Sequence, residues 1–121
     1  MNRSPAIDDI LAERTFGRPV ELLFDRTPLD IHCSDERVRS ALADYFREFH
    51  RPSPDGRGLA IHVIEAPPFR PDLPWRLKER EPGKGPKEEY HATAGGMAVR
   101  KVRTGMLFFM EGESILAMGP C

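Results

Sequence analysis

DERVRSALADYFREFH, residues 35–50, is the stretch on which the fold turns. Val38, Leu42, Tyr45, Phe46 and Phe49 recur at helical spacing, with Arg37, Arg39, Asp44, Arg47 and Glu48 on the polar side. Ser34 stands where a helix N-cap belongs. On either side the period changes from helical to alternating. In residues 19–25, Val20, Leu22 and Phe24 alternate with Glu21 and Leu23. Leu29, Ile31 and Cys33 alternate with Asp30 and His32, and Leu59, Ile61 and Val63 share one face of residues 59–65. Arg26-Thr27-Pro28 reads as a turn, so residues 19–33 are expected to form a hairpin. The predicted fold is α+β: a mostly antiparallel sheet with the 35–50 helix packed on one face, and Phe46 at the centre of that contact. Residues 1–121 are read as a single domain.

Outward from this centre the pattern is weaker. Ser4-Pro5 opens a short helix on which Ile7, Ile10 and Leu11 share a face. Residues 66–86 carry six prolines and no sustained period, so they read as an extended loop, pinned by Phe69 and Trp75. Residues 87–93 and 97–103 are expected as strands around the turn Ala94-Gly95-Gly96. Residues 106–110, MLFFM, are apolar throughout, a strand covered on both faces. They turn back at Glu111-Gly112-Glu113 into residues 114–118. If Met106, Phe108 and Met110 point inward, Leu107 and Phe109 lie on a second face. A single thin domain has little left to cover that face, which predicts an apolar patch beside Ile115 and Ala117, or self-association through it.

The composition narrows the function. Eighteen basic and nineteen acidic residues give a net charge of −1, which supplies no field toward nucleic acid or anionic lipid. Two cysteines and no apolar leader at residues 1–10 read as reduced thiols in a cytoplasmic protein. The longest apolar run is too short to span a bilayer. The only Gly-Lys pair is Gly83-Lys84; Lys78 stands where a phosphate loop needs its first Gly, and Gly85 where it needs Ser or Thr. His32, His50, His62 and His91 fall on different elements. His32 and Cys33 point to opposite faces of a strand and cannot chelate one ion together. No catalytic, cofactor-binding or metal-ligating residue is therefore assigned. Lys84, Arg100, Lys101 and Arg103 are the candidate contacts for an anion or an acidic partner. The plain reading of the last three is an edge strand protected by charge. Glu79, Glu81, Glu88 and Glu89 nearby argue against nucleic acid.

Three segments carry a resemblance: EPGKGPKEEY at 81–90, VRKVRTGM at 99–106 and AMGPC at 117–121. In this order they resemble the N-terminal region of the HprK-related kinase B group. The match is sharpest at Arg80 to Pro82 with Lys84, at Lys101 to Met106 and at Gly119 to Cys121. Its members are inferred serine kinases related to HPr kinase/phosphorylase. There, more chain follows the Gly-Pro-Cys segment and carries the phosphate loop. The resemblance implies an accessory N-terminal domain, with ATP and Mg handled only by the kinase domain of the same polypeptide. Further partners are a protein substrate or a homo-oligomer. The alternative is a free-standing module that binds a peptide or carrier protein through a sheet edge and the proline-rich loop.

Overall fold

In the computed structural model, residues 5–51, 58–77, 83, 87–93 and 95–120 are described. Helix α1 spans Pro5–Ala12. Strands β1 (Val20–Phe24) and β2 (Thr27–Cys33) form the expected hairpin. Its turn is Asp25-Arg26, one step earlier than the sequence implied, with Asp25 at φ 56°, a left-handed conformation that Asp tolerates. Helix α2 (Glu36–Tyr45) then crosses to β3 (Leu59–Glu65), which lies parallel to β2. After a two-residue strand β4 (Arg76–Leu77) come β5 (Glu88–Ala92), β6 (Gly96–Lys101), β7 (Leu107–Glu111) and β8 (Ser114–Gly119). All eight strands join one sheet in the order β1-β2-β3-β8-β7-β6-β5-β4. Only the β2–β3 and β3–β8 pairs are parallel, so the sheet is mostly antiparallel and the fold α+β.

Helix α2 is shorter than residues 35–50. Its N-cap is Asp35 rather than Ser34: the Asp35 carboxylate accepts from the N–H groups of Arg37 and Val38 at 2.8 and 3.3 Å. The Ser34 hydroxyl is used elsewhere, accepting from the Glu65 N–H at 3.1 Å. At the other end the helix stops at Tyr45, and a 3-10 turn, Arg47–Phe49, follows. This bend brings Phe46 edge-on to Phe24 at 5.7 Å and stacks Phe49 on Phe24 at 4.5 Å. Tyr45 is left 78% exposed and does not belong to the apolar face. Beyond the turn, His50 bridges Leu22 and the Arg51 N–H donates to the Glu21 carbonyl, so residues 50–51 close the outer edge of β1.

The sheet has a core on each face. Under α2, which lies against β1 and β2, are Val20, Leu22, Ile31 and Cys33, packed by Val38, Leu42, Ala43 and Phe46. On the opposite face are Ile64, Ala98, Leu107, Phe109, Leu116 and Met118, covered by Ile10, Leu11, Phe16, Leu73 and Trp75. Leu107 and Phe109 therefore point into a core, and Phe108 and Met110 point away. This reverses the phase read from the uniformly apolar 106–110 run. Trp75 pins the proline-rich segment as expected, its indole N–H donating to the Pro71 carbonyl at 2.9 Å. Phe69 stays exposed and is not among the described residues packed on either core. Gly96 sits in β6 rather than in the turn before it, and only glycine fits there, since a Cβ would collide with the Met110 carbonyl on β7.

Ile64 is fully buried, whereas Phe46 is half-buried at the C-cap. Ile64→Ala should therefore cost about 2–5 kcal/mol in urea melts. Phe46→Ala should fall below the roughly 3–5 kcal/mol of a fully buried ring. The reverse ranking would contradict this placement of the core.

Candidate interaction surface

Cross-strand partners share a face, so the registers define what the sheet presents beyond α2. One row runs Ile61, Ile115, Met110, Met97, Ala92 from β3 to β5. The next runs Val63, Ala117, Phe108, Val99, Tyr90, Arg76 from β3 to β4. Ile61 and Val63 pack against the α2 core. From β8 outward no described element packs on these rows: Met97 and Met110 are each 41% exposed, and Ile115, Ala117, Phe108, Val99 and Tyr90 are half-buried. Lys101 and Glu88 are opposed on the same face one step further along, ion-paired at 3.1 Å. An apolar floor two rows deep thus ends in charge. The predicted patch beside Ile115 and Ala117 exists, formed by Phe108 and Met110 rather than by Leu107 and Phe109. A groove of about 550 Å³, lined by Asp35, Arg37, Val38, Ala41, Leu42 and Glu65, marks the inner corner where α2 rises from the sheet.

The four basic candidates do not form one cluster. Lys84 lies outside the described residues. Arg100 and Lys101 are on β6, but on opposite faces. Strand β6 is interior, paired on both sides, so the edge reading is wrong. Its charges are tolerated because each faces an acid across the β5–β6 pair: Lys101 opposes Glu88, and Arg100 opposes Glu89 at 3.2 Å. Arg103 lies past the end of the strand, exposed in the turn that leads to β7.

Glu89 is a site the sequence reading passed over. It is buried, and its carboxylate accepts two bonds from Arg70 at 2.8 and 3.2 Å as well as the one from Arg100. Arg70 belongs to the proline-rich segment, so this triad ties that segment to β5 and β6. The Arg70 hydrogen bonds hold the Glu89 carboxyl below the ordinary carboxylate range against the opposing effect of burial, aided by the charges of Arg70 and Arg100. A buried cation, Arg51, forms a second cluster: it bonds Asp30 at 2.7 Å and Glu21 at 3.3 Å, and Asp30 also accepts from the Gly58 N–H at 2.9 Å. Both clusters fasten connecting chain to strands.

Two of the four histidines do come together. His32 and His62 are in register on β2 and β3 and stack at 4.8 Å, and Phe16 meets His62 edge-on at 5.0 Å. The signal was the shared pattern L-x-I-H in residues 29–32 and 59–62, which parallel pairing places side by side. Cys33 is buried on the other face, where burial pushes its thiol up, away from the reactive thiolate. Among the described residues no group of three or more His, Cys, Asp or Glu is placed to hold a metal ion. A cavity of about 770 Å³ opens where β2, β3 and β8 begin; among its described lining residues Glu113 is the sole charge. Among the described residues no helix is long and apolar enough to cross a membrane.

The chain matches no protein-family model, no curated protein and no solved structure.

A carboxyl with a depressed folded pKa stabilises fully above its unfolded value, about 4.3 for Glu. That contribution is lost as pH falls through the folded value. Urea midpoints should therefore drop as pH falls below about 5 in the wild type, and drop less in Glu89→Gln. Equal drops would show that Glu89 is not the group responsible.

Proposed function

We propose that this chain is the non-catalytic N-terminal domain of a cytoplasmic HPr-kinase-related serine kinase, serving assembly, regulation or substrate contact. The observation that carries the proposal is the half-covered sheet face. Two apolar rows with a charged border fit a domain that works by contact, and large apolar patches mark such surfaces. The three ordered sequence segments support the kinase connection. Under this reading the kinase domain of the same polypeptide is one partner, and ATP and Mg belong to it. Lys84 and Arg103 remain the candidates for an acidic contact. A second reading is favoured by a specific feature, the two-residue edge strand β4 beside a cavity of about 370 Å³ lined by Pro74, Arg76, Tyr90, His91 and Ala92. A free-standing module could there add a peptide or carrier-protein segment as a further strand.

The coding sequence beyond Cys121 separates the two. An in-frame G-x-x-x-x-G-K-[ST] supports the kinase reading, and a stop codon supports the module. Calorimetric titration of the isolated chain with Mg-ATP should give no heat of binding. A micromolar dissociation constant would place nucleotide chemistry in this chain and overturn the accessory role.

A further inference from the structure

We infer that the uncovered half of the sheet face takes a second copy of this chain, in a two-fold dimer whose axis runs parallel to the strands between β6 and β7. The inference deepens the assembly role proposed above and rests on that reading of the face. Shape is the first argument. A helix is about 10 Å across and stacked sheets lie about 10 Å apart, so α2 and a second sheet occupy layers of equal height. Among the described residues each copy is therefore a step, with α2 over β1 and β2 and an open floor from β8 to β4. Two such steps interlock only under one kind of face-to-face two-fold. An axis in the sheet plane but across the strands would set α2 on α2. An axis along the strands instead sets β8 over β5 and β7 over β6 of the other copy, with α2 beside the other copy's β4.

The rows agree with that operation. Rotation about an axis along the strands lays each apolar row on itself, so Met97 and Met110 do not meet the Lys101–Glu88 pair. Large groups then fall opposite small ones: Tyr90 of each copy over Ala117 of the other, and Ile115 over Ala92. Met110 falls opposite Met97. The edges agree as well. The free edge of β1 is closed within the chain by His50 and Arg51, whereas among the described residues nothing pairs with the outer edge of β4. In the dimer α2 of the other copy shields it, as edge strands require. Arg76 on β4 then approaches a groove rim that carries two acids, Asp35 and Glu65, against one base, Arg37.

The test uses exposed positions, so folding is not at stake. Sedimentation equilibrium of the wild type should show the apparent mass doubling as concentration rises. Met97→Glu and Met110→Lys should each remain monomeric alone. An equimolar mixture of the two should recover a dimer, because residue 97 of one copy faces residue 110 of the other. A wild type that stays monomeric up to about 1 mM would overturn the inference, since weaker association has no structural meaning. Dimers in both single variants would overturn it too, as would a mixture that fails to associate. A monomeric wild type whose gene continues into a phosphate loop would sink the dimer and leave the domain assignment standing. A dimer from a gene that stops at Cys121 would do the opposite.

Discussion

Everything in this sheet depends on the pairing of β3. It is the one strand bonded in parallel on both sides, to β2 and to β8, and it alone joins the N-terminal hairpin to the C-terminal meander. Its side chains divide accordingly. Ile61 and Val63 point toward α2, while His62 and Ile64 point toward the core covered by α1 and Trp75. A slip of one residue would exchange the two sets and put His62 under the helix. The clean assignment of each face to its own core is what fixes the register.

With β3 in place, the two halves solve different problems. The N-terminal half is a strand–helix–strand crossover that buries its apolar face under its own helix. The C-terminal half gets its cover from elsewhere in the chain: α1 and the proline-rich segment, the latter held down by Trp75 and by the Arg70–Glu89–Arg100 triad. That cover reaches only one face. Among the described residues the other is open, because α2 reaches no further than the first strands and no other helix lies on that side.

Alternation made much of this readable. The β1–β2 hairpin, the core of α2, β3 and the closing β7–β8 hairpin all follow from period and turn residues. So did the patch beside Ile115 and Ala117, although its strand was read in the wrong phase, because MLFFM is apolar at every position and carries no alternation to fix one. What escaped was set by tertiary contact. The helix stops at Tyr45 because Phe46 and Phe49 pack on Phe24, a residue far away in sequence. The charges of β6 looked like an edge because their acidic partners lie on a neighbouring strand. The two histidines looked dispersed because nothing local announces parallel pairing.

The same placement of β3 dictates an order of assembly. Strands β1 and β2, helix α2 and β3 are contiguous in sequence and can close soon after synthesis. The other flank of β3 must wait for β8, with four strands made in between. Non-local pairing of this kind is slow, because the loop must close before the contact repays it. Until then the nascent chain displays one unpaired edge of an apolar strand, Leu59–Glu65, to every neighbour in the cell. Helix α2 protects one flank of the growing sheet, and the ribosome's pace decides how long the other stays open.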